Sequence, residues 1–261
     1  MDLLFKDRNI LITGASKGIG LACAKILAGE RANIIISSRS EENLSQALRE
    51  IDSRAEINIF PADVSNSGDL DALSEFVKSR FGHIDGLIIN TGGPPMGSAL
   101  SHPDEDWRAA FDSLLMPAVR MTRHFVPQMQ ERGFGRIVCI SSTGVKQPIP
   151  GLVLSNSLRQ AVTAFLKTLS NEVAGTNVFI NSLLPGSTNT GRLASLHKTL
   201  SEKTGKSIED IIAKRKESIP AGRFAEPENL AVLAAFLLSE RNAYITGQCI
   251  AVDGGLVSFP L

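Results

Sequence analysis

Eight residues near the start of the chain, Thr13-Gly14-Ala15-Ser16-Lys17-Gly18-Ile19-Gly20, constrain everything around them. They follow a short apolar run, 9–12. They lead without a break into a stretch in which Ile19, Ala22, Cys23, Ile26 and Leu27 share one helical face. Glycines at these places permit a tight turn and let backbone N–H groups approach a pyrophosphate, while the helix N-terminus holds the negative charge. A strand–turn–helix unit of this kind buries its strand on both faces. The remaining chain must then supply parallel neighbours and covering helices.

It has the pattern to do so. Runs 33–37, 57–60, 86–90, 136–141, 178–184 and 248–252 are rich in Ile, Val and Leu without polar alternation, as expected of strands covered on both sides. Amphipathic stretches at 41–53, 70–81, 104–132, 153–175 and 226–239 read as helices, the long one kinked by Pro117 and Pro127. The expected fold is α/β: one doubly wound Rossmann domain over 1–261, with a seven-stranded parallel sheet and helices on both faces. Residues 187–222 read as an insert serving as a substrate lid. Lys198, Lys203, Lys206, Lys214, Arg215 and Lys216 make it a solvated surface rather than a nucleic-acid site.

Composition narrows the class. With 43% apolar and 21% charged residues, 261 residues suffice for a large core and a polar surface. Lys plus Arg and Asp plus Glu both total 27, which argues against nucleic acid or an anionic membrane as partner. Cys23, Cys139 and Cys249 are far apart, so no disulfide framework and no metal site is expected. Only Leu3, Leu4 and Phe5 run together before Lys6, too few for a signal segment, and no run is long enough to span a bilayer. A cytoplasmic protein is expected.

TGASKGIG matches in full the TGxxxGxG motif of the short-chain dehydrogenase/reductase family, and the chain resembles that family over essentially its whole length. The style is closest to that of bacterial 3-oxoacyl-(acyl-carrier-protein) reductases. The resemblance implies cofactor contacts from Gly14, Ser16, Lys17, Gly18, Ile19 and Gly20. It implies the same for Asp63-Val64 at the adenine, Asn90 and Gly92 in the NTGG segment, and Pro185-Gly186 with Thr190 at the nicotinamide carboxamide. IPAGRFAEP and YITGQCIAVDGG also look like family landmarks. The second strand ends at Arg39, where an NAD enzyme usually carries an acid; an Arg suits a 2′-phosphate, and Lys17 adds a second cation. NADP(H) is therefore expected over NAD(H).

The family's reductases use an Asn, a Ser and a Tyr-x-x-x-Lys. The resemblance places the serine at Ser142. Counting thirteen residues on gives Ser155 at the Tyr position, and the tetrapeptide spacing gives Arg159 at the Lys position. Trp107 likewise aligns Leu114 with the Asn. The only tyrosine, Tyr244, lies in the YITGQ landmark. A serine hydroxyl is a far weaker acid than a phenol, and Arg does not lose its proton at working pH. General acid catalysis is worth roughly 10²–10⁴. Lys146, four residues after Ser142, is the first candidate for a substitute acid. His197 in the insert is a second, and Ser155 and Asn156 could hydrogen-bond substrate. His83, His102 and His124 match no motif position.

Two readings stay open at this point. One is an NADP-dependent oxidoreductase acting on a carbonyl or hydroxyl substrate, 3-oxoacyl-like or an acyl thioester among the options, through a non-standard site. The other is a catalytically silent NADP-binding sensor or scaffold. The apolar faces along 104–132 and 153–175 point to a homotetramer or homodimer.

Overall fold

The computed structural model describes residues 2–52 and 55–258. Strands β1 (Asn9–Thr13), β2 (Asn33–Ser38), β3 (Ile57–Pro61), β4 (Gly86–Asn90), β5 (Gly135–Ile140), β6 (Val178–Pro185) and β7 (Cys249–Val252) form a seven-stranded sheet in the order β3-β2-β1-β4-β5-β6-β7. Every pairing is parallel, for example Leu11 opposite Ile35 on one side and Leu87 on the other. All five residues of β1 are buried, as the unalternating apolar run requires. The expected doubly wound fold is thus present.

Helices α1 (Gly18–Gly29), α2 (Glu41–Glu50) and α9 (Pro227–Leu238) pack over one face, where Cys23, Leu27, Leu44, Ala231 and Leu238 meet Ile10, Ile12, Ile34 and Ile36. Helices α3 (Ser67–Phe81), α5 (Met116–Arg132) and α6 (Val153–Val173) cover the other, with Leu73, Phe125, Met129 and Leu166 on Leu11, Ile35, Leu87 and Ile137. Neighbouring side chains along each strand thus enter different cores. Strand order reverses direction between β1 and β4, so the carboxyl ends of those strands open a crevice.

One expectation changes. The stretch 104–132 is not one kinked helix: α4 (Asp104–Ala110) passes through a π-helical turn, Phe111–Leu115, into α5. Pro117 has no N–H for the carbonyl four residues back, and its ring would crowd that carbonyl; widening the turn just before it relieves both. Pro127 sits inside α5. The insert 187–222 carries α7 (Gly191–Thr204) and α8 (Ile208–Glu217), capped by the Thr190 and Ser207 hydroxyls, which accept from the N–H groups of Leu193 and Asp210. Ser53, the expected end of the second helix, lies outside the described residues.

Candidate active site

A cleft of about 1440 Å³ runs across the carboxyl ends of the central strands. Pockets for single small ligands are about 300–1000 Å³, so the cleft has room for a dinucleotide and a second molecule.

At one end the backbone shapes the wall. Gly14 (φ +57°) lies against the Asn90 backbone, where an added Cβ would stand 2.7 Å from the Asn90 carbonyl oxygen. A Cβ at Gly20 would stand 2.4 Å from the Gly14 carbonyl oxygen. Only glycine admits these approaches. Asn90 bolts the loop down: its Nδ2 donates to the Gly14 carbonyl at 3.0 Å, and its N–H donates to the Thr13 hydroxyl. Ser16, Lys17, Gly18 and Ile19 line the cleft, with Gly20 buried behind them.

Arg39, Asp63 and Val64 line the same end. Burial alone would raise the Asp63 pKa. The Ser65 N–H and hydroxyl, which donate to it at 2.9 and 2.7 Å, outweigh that with help from the Arg39 charge and hold it below the usual value. Neither Arg39 nor Lys17 has a carboxylate partner among the described residues. The Ser38 hydroxyl is buried without a protein partner. A glycine cradle, two unpaired cations, a fixed carboxylate and an orphaned hydroxyl suit a phosphorylated dinucleotide.

At the other end side chains dominate. Ser142 follows β5, and its Oγ accepts from the Gly144 N–H at 3.1 Å. Ser155 lies in the first turn of α6, and both serines line the cleft. Arg159, one turn further along α6, is 9% exposed. Its guanidinium donates to the carbonyls of Ile140 and Gly92, each at 3.0 Å, and to Ser155 Oγ at 3.2 Å. Burial pulls its pKa below the usual arginine range. Gly92, Pro185, Gly186 and Thr190 also line the cleft, and the Gly186 N–H anchors to the Val252 carbonyl.

Two expectations, for Lys146 and Asn156, are corrected here. Lys146 does not line the cleft: it ends the short 3₁₀ turn after Ser142, and its charge acts instead on the Cys249 thiol. Asn156 also faces away, its amide bonded both ways to the Ile149 backbone. Leu114 is 3% exposed and packs with Ala110, Leu154 and Leu158 in a core under the π-helical turn, not in the cleft. Tyr244 is 95% exposed and lines no part of it.

The insert forms the outer wall. His197, 8% exposed, lies with its ring centroid 5.7 Å from that of Phe224. Burial first, then the Arg215 charge, holds its pKa below the ordinary value. Arg192 and Arg215 line this wall too. Sequence reasoning missed their direction, because spacing along an irregular insert does not reveal which cations turn inward.

The family model described as enoyl-(acyl carrier protein) reductase matches residues 14–257. Human dehydrogenase/reductase SDR family member 4 is 31% identical over 256 residues, covering 97% of this chain and 88% of its own. The chain belongs to the short-chain dehydrogenase/reductase family. The 3-oxoacyl-[acyl-carrier-protein] reductase of Thermotoga maritima is 32% identical over 248 residues, 95% of this chain and 96% of that one. The L-sorbose reductase of Gluconobacter frateurii, solved with NADPH and L-sorbose, superposes with a TM-score of 0.93 at 33% identity, covering 99% of this chain and all of that one. No helix among the described residues is long and apolar enough to cross a membrane.

Proposed function

We propose that the chain is an NADPH-dependent carbonyl reductase whose reaction end works without a tyrosine. The observation that carries the reading is the pair of hydroxyls, Ser142 and Ser155, on the cleft wall, with Arg159 donating to the Ser155 oxygen. The NADPH-bound L-sorbose reductase of the same fold and the acyl-carrier-protein reductase relative support it. Leu114, Ser155 and Arg159 take the places of the family's Asn, Tyr and Lys, as the resemblance implies.

Bound NADPH supplies the hydride to the carbonyl carbon. Ser142 and Ser155 donate hydrogen bonds to the carbonyl oxygen and strengthen them as negative charge grows there. Arg159 donates to the Ser155 oxygen, so the Ser155 O–H is left to point at substrate and is polarised by the neighbouring cation. The alkoxide takes a proton from Ser155, which recovers one from water. Lacking a phenol, this path forgoes part of the roughly 10²–10⁴ that general acid catalysis contributes. Lys17 and Arg39 bind the 2′-phosphate, and Asp63 orients the adenine.

The insert 187–222 serves as a lid over the reaction end. The half-buried Leu115, Val119, Phe165 and Leu169 on the π-helical turn, α5 and α6 pair with a second copy of the chain. Light scattering that shows a monomer at micromolar concentration overturns that pairing.

The test is consumption of NADPH with a panel of β-ketoesters, keto sugars and oxo acids. Ser142→Ala and Ser155→Ala are each expected to lower kcat by roughly tenfold or more while NADPH binding is kept. Tight NADPH binding without consumption across the panel overturns the reading in favour of a silent cofactor-binding protein.

A further inference from the structure

Buried arginines are costly unless their donors are satisfied, and the chain shows what satisfaction looks like. Arg136 is 2% exposed, lies over the rings of Phe134 and Phe179, and donates to three backbone carbonyls and the Asn177 side chain. Arg159 uses all three guanidinium nitrogens on protein oxygens.

Arg192 and Arg215 differ. Both line the cleft wall, Arg215 half-buried and Arg192 exposed to the open cleft, and the partial desolvation of each pulls its pKa down. Arg215, in the last turn of α8, has one bond, from Nε to Ser187 Oγ at 2.8 Å, and its two terminal nitrogens have no acceptor among the described residues. Arg192, in the first turn of α7, has one bond, from Nη2 to the Pro94 carbonyl at 2.6 Å. Carboxylates also line the cleft at Asp106, Asp112 and Asp210, but none lies within 4 Å of either guanidinium among the described residues.

A helix C-terminus favours cations, which accounts for basic residues at the end of α8. It does not account for Arg215 turning inward while Lys216 lies 5.5 Å from the Phe224 ring centroid. Both guanidinia are tied to the reaction end rather than the dinucleotide end. Arg215 is held by Ser187, next to Pro185-Gly186. Arg192 packs on Gly93, beside the Gly92 carbonyl that Arg159 holds, and its charge reaches Arg159. The cofactor's phosphates have their own donors at the far end, in the glycine loop, Lys17 and Arg39.

We infer that Arg192 and Arg215 form an anion subsite that binds a carboxylate of the substrate, making the preferred substrate a small oxo acid rather than a neutral ketone. A planar guanidinium fork matches the two oxygens of a carboxylate. The inference rests on the carbonyl-reductase reading, but its test uses binding, so the two can fail separately.

Calorimetry on the protein loaded with NADP⁺ compares acetoacetate, ethyl acetoacetate and acetoacetyl-coenzyme A. The acid is expected to bind at least roughly tenfold more tightly than the ester. Arg215→Gln and Arg192→Gln are each expected to remove most of that preference while ester binding stays unchanged, and Lys198→Gln, on the exposed face of α7 outside the cleft, leaves the preference in place. Equal binding of acid and ester in the wild type, or no binding of the acid, overturns the inference without reference to any variant. So does a preference that survives both arginine substitutions. Tighter binding of the coenzyme A ester that depends on Arg215 assigns the subsite to a phosphate and overturns the carboxylate. An acid that binds with the expected preference but is never reduced leaves the subsite standing and defeats the reductase reading.

Discussion

At the dinucleotide end of the cleft the backbone does the shaping: Gly14 and Gly20 pack where a single Cβ would collide, and Asn90 ties the loop to β4. At the reaction end the backbone is held in place by a side chain, Arg159, and the side chains lining the cleft include the hydroxyls of Ser142 and Ser155 and the guanidinia of Arg192 and Arg215. A backbone cradle tolerates almost no substitution because its constraint is steric. A side-chain site can change its chemistry while its frame survives. Here Leu114 packs into a core at the π-helical turn, and Arg159 joins β5 to the loop after β4.

The first way to break this comparison is to put a Cβ into the cradle. Gly14→Val places a branched side chain at φ +57° against the Asn90 carbonyl. Affinity for NADPH is expected to fall by more than about 100-fold, read by fluorescence titration on protein whose Tm has been checked. A fall of less than about tenfold means that the glycine loop is not the cofactor's seat.

The reaction end should respond in the opposite direction. Leu114→Asn, Ser155→Tyr and Arg159→Lys made together put the family's residue types at the positions the resemblance assigns to them, and on the proposed reading ketoreductase turnover of a small β-ketoester is expected to rise by roughly 10²-fold. The three act as a unit, so single changes gain little. Ser155→Tyr alone forces bulk into a space shaped around a hydroxymethyl group. A slower triple variant beside a brisk wild type shows that the hydroxyl pair is a competent donor site in its own right. The scaffold would then not be a weakened copy of the family's.

The same contrast explains what was legible in the sequence. The β1–loop–α1 unit stood out because three signals coincide: an unbroken apolar run, glycines and a 3.6-residue period. Strands β2 to β7 followed from their unalternating apolar runs, which suit the buried β2, β4, β5 and β6, while the edge strands β3 and β7 are only half-buried. The π-helical turn carries no periodic signature within five residues, so 104–132 read as a single helix. Lys146 was plausible by its distance along the chain from Ser142. Direction decides its role, and the 3₁₀ turn sends its charge toward Cys249. Arg192 and Arg215 were invisible as a pair, since only the fold of the insert brings residues 192 and 215 to one wall.

Cofactor discrimination sharpens the comparison more gently. Arg39 is exposed at the rim and has no carboxylate partner within 4 Å among the described residues. Arg39→Ala is expected to reduce the preference for NADPH over NADH by about tenfold, consistent with the loss of one charge-assisted contact. Equal affinities for the two cofactors in the wild type contradict the assignment of Arg39 to the 2′-phosphate.

The smallest expected effect tests whether the outer wall of the reaction end is as electropositive as its unpaired arginines imply. His197 is buried beside Phe224, and burial together with the Arg215 charge lowers its pKa in the folded state. The unfolded chain titrates the same imidazole near its ordinary value of about 6.5. Below that pH the unfolded state binds the proton more readily than the folded one, so stability is lost as pH falls through about 6.5 toward the lower folded value. His83, whose pKa burial also lowers against the opposing pull of Asp85, adds to the slope but lies far from the cleft. His197→Phe is therefore expected to flatten the decline of Tm between about pH 7.5 and 5.5 by about 2 °C. Arg215→Gln is expected to flatten it by less, because it removes only the second of the two causes. An unchanged slope in His197→Phe places the pH sensitivity elsewhere. A slope flattened by His197→Phe but untouched by Arg215→Gln leaves burial as the sole cause and removes the charge from the account of that wall.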